Sequence, residues 1–391
     1  MDILIAVLHR PTQPTGVCRH AANLAQALVE REDITQVTLV TGAWQRRYFE
    51  TAFSLRHSKL KIIEVDIPNT STARNLWYLF GLPKLVKQHC PDIVHLAFPL
   101  PFWRSRFACP VIATIHDLYP YECPENFGRA QAILNRLFLR QCIQQSDGLT
   151  CVSQATLKQL QFFFAAGTRK PVTVIYNSVN FSRLSPRYPQ QLTEQAAEPG
   201  IPFLLAVAQH RKNKNLNWLI QAYAELRQSN RLPDKTELIL VGSSGPETAM
   251  LQQQIAALRL QSQVHLLATI QDEELCWLYQ HCQVYVVCSS TEGFCLPLAE
   301  ALYLGCKVVC SDIPILREVA LTDCTYFKVQ DDPVQHLADA IAEAIDQPDQ
   351  PRQGNSGFRF ATATVAQQYV NFYRDVIHRN INQLMTKEMA S

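Results

Sequence analysis

Ser289-Ser-Thr-Glu-Gly-Phe-Cys-Leu-Pro-Leu-Ala-Glu-Ala-Leu-Tyr-Leu-Gly-Cys-Lys-Val-Val-Cys-Ser311 reads as a polar turn, a helix and a strand in succession. The apolar run Val284–Cys288 leads into it as an earlier strand. Pro297 stands where a first helical residue belongs, because its missing N–H is not needed there and its fixed φ suits a helix start. Leu298, Ala299, Ala301, Leu302 and Leu304 carry the helix, Gly305 stops it, and Lys307–Cys310 is the next strand. The free N–H groups at the helix start, near Cys295 and Leu296, then point back toward the turn and make an anion site, for which phosphate is the usual guest. Glu292 in the turn and Glu300 in the helix flank that site, and a carboxylate beside hydroxyls is an ordinary way to hold a sugar or a ribose. Locally, the chemistry is that of phosphate between two polyols.

The same string carries a resemblance. Glu292 and Glu300, with Gly293-Phe294-Cys295-Leu296-Pro297 between them, are similar to the E-x7-E motif of retaining GT-B glycosyltransferases, family GT4. Without the rest of the string, Glu300 would be only an acid favoured near a helix start and Glu292 only a loop acid.

Bulk properties set the frame. A chain of 391 residues has room for two domains of ordinary size. A formal net charge of +2 argues against a dedicated nucleic-acid binder. No run of eighteen apolar residues occurs, so no membrane-spanning helix is expected. Met1–Leu8 lacks a basic n-region and reads as a first strand rather than a signal peptide. The 13 cysteines are odd in number and contain no C-x-x-C pair, which suits reduced thiols in a cytoplasmic protein. His89-Cys90 and His281-Cys282 lack the spacing of a zinc site.

Outward from the central string, short apolar strands alternate with helices in two successive runs. The fold class is therefore α/β with two doubly wound, Rossmann-like domains. The boundaries fall at 1–180 for the first domain, 181–200 for a proline- and glutamine-rich linker, 201–357 for the second domain and 358–391 for a final helix. Asp2–Leu8 is a buried strand, followed by a loop with Pro11, Pro14, Thr15 and Gly16 and a helix from Val17 to Glu30. That loop is a second phosphate-facing turn, although a plain loop explains one glycine equally well. Arg19 and His20 read as surface groups. Trp44–Phe49 is a basic-aromatic loop, solvated or, in a second reading, in contact with an acceptor. Asn75–Gln88 reads as one helix. Val111–Ile115 runs straight into His116 and Asp117, and the carboxyl end of a parallel strand is where open α/β sheets place ligands. Ser153 caps a helix over Gln154–Phe164.

In the second run, Phe203–Ala208 ends in a basic loop, Gln209–Lys214, which is either a solvated turn or a partner for diphosphate. Glu237–Val241 ends at Gly242, with Gly245 close behind; the two permit close backbone approach or a simple turn. Phe360–Ile377 is a long last helix.

Several expectations come from the resemblance. It covers essentially the whole chain, including Pro124–Phe127 and the Asn177–Asn180 exit from the first domain, where Ser178 replaces the usual glycine. It implies two domains facing across a cleft, an active site in that cleft, and a final helix crossing back onto the first domain. His116, with Asp117 beside it, would face the donor sugar. Lys214-Asn215 matches the family's Lys-Asn pair, with Arg211, or Lys212 as rival, as the second diphosphate cation. Thr269 and Ile270 would present backbone to the base, Glu300 would hold the ribose, and Glu292 would hold the sugar hydroxyls. Gly16, Gly242, Gly293, Phe294, Cys295 and Leu296 complete the expected donor site. No Asp-x-Asp occurs, so no metal and no cofactor are expected. The implied reaction is retaining transfer of a hexose from a nucleoside diphosphate sugar, UDP-glucose first and GDP-mannose second, to a polysaccharide or lipid-linked saccharide. Arg46, Arg47, Arg136 and Arg140 are candidate contacts for peripheral membrane association at the inner face. A sugar-nucleotide epimerase and a non-catalytic nucleotide-binding paralogue are the alternatives.

Overall fold

The computed structural model describes the chain apart from residues 11, 13, 14, 52, 54, 123–127, 165–169, 182, 183, 195–199, 269, 349–356 and 389–391. Expectations attached to Pro11, Pro14, Pro124–Phe127 and Thr269 lie outside the described residues. Two compact units are present, Met1–Ser178 with Phe360–Ser391, and Val179–Arg359.

The first unit runs β1 (Asp2–Ala6), α1 (Gly16–Val29), β2 (Gln36–Gly42), α2 (Arg46–Thr51), β3 (Leu60–Val65), α3 (Ser71–Leu76), α4 (Leu82–His89), β4 (Ile93–Leu96), β5 (Val111–Ile115), α5 (Tyr119–Glu122), α6 (Arg129–Gln145), β6 (Gly148–Cys151), α7 (Gln154–Phe163) and β7 (Val172–Val174). Its strands form one parallel sheet in the order β3-β2-β1-β4-β5-β6-β7. Successive residues of a strand face opposite sides, so β1 feeds two cores. Ile3 and Ile5 pack with Leu24 and Leu28 of α1, and Leu4 and Ala6 pack with Tyr78 and Leu82.

The second unit runs α8 (Gln190–Glu194), β8 (Phe203–Val207), α9 (Leu216–Gln228), β9 (Glu237–Val241), α10 (Thr248–Ala257), β10 (Val264–Leu267), α11 (Asp272–His281), β11 (Val284–Val287), α12 (Leu296–Tyr303), β12 (Val308–Ser311), α13 (Pro314–Ala320), β13 (Thr325–Phe327) and α14 (Pro333–Asp346). Its parallel sheet has the order β10-β9-β8-β11-β12-β13. In each sheet the strand order reverses once, between β1 and β4 and between β8 and β11. Loops leaving the carboxyl ends at such a point splay apart and leave a crevice for ligands.

The last helix, α15 (Thr362–Glu388), belongs to the first unit. Val365, Tyr369, Tyr373 and Val376 enter the same core as α1. Gly148 makes room for it: a Cβ there would lie 2.8 Å from Val376 and 2.9 Å from Phe372.

Two local expectations are corrected. Trp44–Phe49 is not a loop: Arg46–Thr51 is helical, and Tyr48 and Phe49 are buried in the core while Arg46 pairs with Glu50 and Glu64. Alternating charge and aromatic residues there reflect an amphipathic turn. The expected single helix over 75–88 is α3, a π-helical turn at Trp77–Gly81, and α4. Pro83 has no N–H to donate to the Leu79 carbonyl one turn back, and that carbonyl instead accepts from Arg106 Nη1 at 3.3 Å. In the stretch 181–200, the described residues lie on the second unit. The Arg187 N–H donates to the Glu273 carbonyl at 3.1 Å, Tyr188 packs edge-on against Trp277, and Leu192 is buried.

Candidate functional site

At the switch point of the second sheet, the loop after β8 and the loop after β11 are fastened together. The Ser290 N–H donates to the Asn213 carbonyl at 2.9 Å, Asn213 Nδ2 to the Thr291 carbonyl at 3.1 Å, and Asn215 Nδ2 to the Cys288 carbonyl at 2.9 Å. Asn215 takes a left-handed conformation (φ 49°) that lets the chain turn from a short 3-10 segment into α9. These fastenings bring Lys214 to Glu292, with Nζ 2.5 Å from Oε1, and Ser289 Oγ donates to the same oxygen at 2.7 Å. Two residues expected from the sequence to serve one ligand are thus in direct contact. Arg211 and Lys212 remain exposed, and neither side chain bonds to any group among the described residues.

Cys295 enters α12 with φ 67°, and this left-handed residue aims the helix start at the turn. The N–H groups of Cys295 and Leu296 donate to nothing among the described residues, as an anion-binding helix start requires. Burial, with the Glu292 charge adding to it, pushes the Cys295 thiol well up, so it stays neutral. Gly293 and Phe294 complete the turn, with Phe294 buried. Glu300 is 3% exposed, and its Oε2 accepts from the Tyr279 hydroxyl at 2.9 Å. Burial, reinforced by Glu300, raises Tyr279 well above the ordinary phenol range and keeps that proton in place. Tyr279 carried no sequence sign of this role.

Gly242 has a local reason of its own. A Cβ there would lie 1.8 Å from the Ala208 carbonyl oxygen, and at Gly245 2.4 Å from that of His210. Both glycines let the loops after β8 and β9 touch. Ile270 is half-buried just ahead of α11.

In the first unit, Thr15 caps α1 through its side chain, which accepts the Cys18 N–H. At Gly16 a Cβ would meet nothing within 4 Å, so open space lies before it. His116 follows β5, and its Nε2–H donates to the Ala97 carbonyl at 2.8 Å, which leaves Nδ1 as the accepting nitrogen. Burial lowers His116 to about 4. Asp117 turns aside and accepts the Tyr119 N–H at 3.1 Å.

The surface placement expected of His20 is overturned. It is 3% exposed, with its ring edge-on to His116 at 4.9 Å. Burial, then the neighbouring His116 and His95, lowers it well below the ordinary range. His95 lies between the Tyr373 hydroxyl at Nδ1 and the Thr114 hydroxyl at Nε2, both 2.7 Å away. Helical spacing held the clue, because His20 shares the apolar stripe of Ala21, Leu24 and Leu28.

Comparison with known proteins adds the following. Residues 14–183 match the family model described as Glycosyltransferase Family 4, and residues 190–356 match Glycosyl transferases group 1. The chain is 25% identical over 349 residues to the O-antigen chain mannosyltransferase RfbU of Salmonella typhimurium, covering 84% of this chain and 89% of that protein. It is 28% identical over 315 residues to the O-antigen chain mannosyltransferase B of Escherichia coli, covering 78% and 81%. A sucrose-phosphate synthase from Thermosynechococcus elongatus superposes with a TM-score of 0.73 at 20% identity, covering 97% and 99%. Anabaena HepE in complex with UDP and glucose superposes with a TM-score of 0.70 at 20% identity, covering 96% and 100%. These two structural likenesses are likenesses of fold.

Proposed function

From the premise that the chain belongs to glycosyltransferase family 4 and is a hexosyltransferase of the GT-B fold, we propose that it moves a hexose, with retained configuration, from a nucleoside diphosphate sugar to a polysaccharide or lipid-linked saccharide. The observation that carries this reading is the Lys214–Glu292 contact beside the free N–H groups of Cys295 and Leu296. An ammonium has three N–H donors and Glu292 engages one oxygen, so Lys214 keeps donors for a diphosphate. Arg211 is the second cation. As the sugar–phosphate bond breaks, charge gathers on the departing diphosphate, and fixed donors aimed at it lower the barrier without reorganising. Glu292 takes the sugar hydroxyls, Glu300 the ribose, Ile270 and Gly242 the neighbourhood of the base, and His116 with Asp117 the sugar ring. Retention without an enzyme nucleophile is read as front-face attack, in which the leaving phosphate takes the proton of the acceptor hydroxyl. No metal or cofactor enters the proposal.

For the donor, UDP-glucose and GDP-mannose are the two candidates. The sequence relatives named as mannosyltransferases favour mannose, and the likeness to UDP-bound HepE concerns the fold. Relatives named for O-antigen chains support a surface polysaccharide as product.

Among the described residues no helix is long and apolar enough to cross a membrane. We place the enzyme at the inner membrane face through α6, whose Ile133 and Leu137 are 60% and 57% exposed with Arg136 and Arg140 alongside. Arginines flanking an exposed apolar stripe complement an anionic bilayer surface.

The decisive experiment incubates the purified chain, without metal, with a panel of nucleotide sugars and measures nucleoside diphosphate release. Release from one donor, abolished by Glu292→Ala and Lys214→Ala, supports the reading. Turnover untouched by both substitutions sinks the site assignment. Appearance of a new nucleotide sugar without free nucleotide points to epimerisation instead.

A further inference from the structure

We propose that Arg74 and Arg10 form an anion subsite at the carboxyl end of the first sheet, which takes a phosphate or diphosphate group carried by the acceptor. The assignment to the acceptor rests on the transferase reading above; the anion site itself does not.

Arg74 lies on α3 and is only 8% exposed. One turn further on, the Tyr78 hydroxyl accepts the Leu8 N–H at 2.7 Å, which pins this helical stretch over the exit of β1. Asn69 closes the arrangement from the other side. Its Nδ2 donates to the Arg10 carbonyl at 2.9 Å, and its Oδ1 accepts from Arg74 Nη1. Arg74 Nη2 donates to Ser71 Oγ at 3.2 Å. Every one of these partners is neutral, and they engage two of the five N–H donors of a guanidinium.

Half-buried Arg136 and Arg227 also donate only to neutral oxygens, but they are less buried than Arg74, and two further sheltered arginines carry a carboxylate. Arg31 meets Asp33 at 2.8 Å, and Arg104 meets Asp147 at 2.6 Å, although both are more exposed than Arg74. No carboxylate among the described residues forms an ion pair with Arg74, and the cation that acts on it is Arg10, which repels it. A guanidinium kept from water without a carboxylate is costly, and folding tolerates it where a ligand supplies the missing charge. Burial and Arg10 together lower the Arg74 pKa, in line with an unneutralised cation.

Position favours the acceptor over the donor. The residues proposed for the donor diphosphate, Lys214 and Arg211, belong to the second unit, whereas Arg10 lies in the loop that leaves β1 at the first unit's switch point and Arg74 is tied to it through Asn69. Two guanidinium groups offer planar paired donors that suit phosphate oxygens. The chemistry shared by a soluble sugar phosphate and a lipid-diphosphate saccharide is that phosphate.

The test is calorimetric titration of the full chain, at low ionic strength, with inorganic diphosphate and with farnesyl diphosphate. It compares the wild type with Arg74→Gln, Arg10→Gln, Arg74→Lys and Lys214→Ala. Arg74→Gln and Arg10→Gln are expected to weaken binding by roughly tenfold or more, as befits loss of a charge-assisted contact. Arg74→Lys should stay within about threefold, and donor hydrolysis without acceptor should be unchanged in all three. Equal loss with both probes assigns the site to phosphate however it is carried. Loss with farnesyl diphosphate alone assigns it to a lipid-borne acceptor. Binding that falls only in Lys214→Ala, with both arginine variants at wild-type affinity, overturns the proposal. Arg10 is exposed, so its variant carries the test if Arg74→Gln does not fold. Arginine-dependent binding in a chain that releases no nucleoside diphosphate from any nucleotide sugar, with or without a saccharide acceptor, would keep the anion site and remove its assignment to the acceptor.

Discussion

Lys214 and Glu292 depend on each other unequally. Glu292 is 8% exposed and Lys214 19%, so removing the lysine strands the more buried charge. Lys214→Met is expected to cost about 1–3 kcal/mol of stability, and adding Glu292→Gln should restore part of it, because a buried pair broken on one side is worse than one removed whole. Urea unfolding of both variants checks this; a double variant less stable than the single one contradicts it. The three histidines make a second prediction. His116 and His95 are lowered to about 4 and about 3, and His20 is lowered too, all chiefly by burial. The folded state keeps them neutral while the unfolded chain protonates near pH 6.5. Their contribution is therefore complete above about pH 6.5 and is lost as pH falls toward the folded values, at up to about 1.4 kcal/mol per unit for each. A urea midpoint followed from pH 7 to 4.5 should fall less steeply in His95→Gln than in the wild type; parallel declines would sink the assignment. At this scale the sequence was informative where side chains lie in one motif. Glu292, Glu300 and Lys214 could be read from neighbours in the chain. The burial of His20 could be read from helical spacing, but its contact with His116, 96 residues away, could not, nor could the Tyr279–Glu300 pair, 21 residues apart, or the neutral setting of Arg74, because only folding brings those groups together.

Elements were legible where one period governed them. The strands carry continuous apolar runs because both faces of a parallel sheet are covered, and such runs stand out against turns. Competing demands obscured the rest. Pro83 inside an otherwise helical pattern was absorbed by a π-helical turn and a borrowed arginine, which no periodicity shows. The tail of α15 beyond Ile377 has few apolar residues to mark it, yet it continues the helix to Glu388. Ile133 and Leu137 repeat at the spacing of a buried stripe and are exposed, with Arg136 and Arg140 three residues after each. If the stripe meets lipid, Ile133→Ser with Leu137→Ser should reduce co-sedimentation with phosphatidylglycerol-containing vesicles by roughly tenfold. Donor hydrolysis in solution should stay unchanged. Vesicle binding equal to wild type would remove α6 from the membrane proposal.

At the scale of the molecule, the order of the chain and the order of assembly differ. The second unit is one continuous segment, Val179–Arg359, with its own sheet and core. The first unit is interrupted: it begins at Met1 and is completed only by α15, near the other end. Without α15, the side chains around Ala21 and Leu24 lose Val365, Tyr369, Val370, Phe372, Tyr373 and Val376 from their core. His95 also loses the Tyr373 hydroxyl. Six large apolar groups contribute of order 10 kcal/mol by area alone, comparable with the whole stability of a domain. A fragment comprising residues 179–359 should therefore unfold cooperatively on its own. A fragment comprising residues 1–178 should not, and should bind a hydrophobic dye. A synthetic peptide spanning 360–388 added to the second fragment should restore a cooperative transition, since it supplies the missing face of one core and asks nothing new of the other. Thermal unfolding followed by circular dichroism decides it: a cooperative melt of 1–178 without the peptide would mean that the first core closes without α15, and that the helix is an attachment to the unit rather than part of its interior.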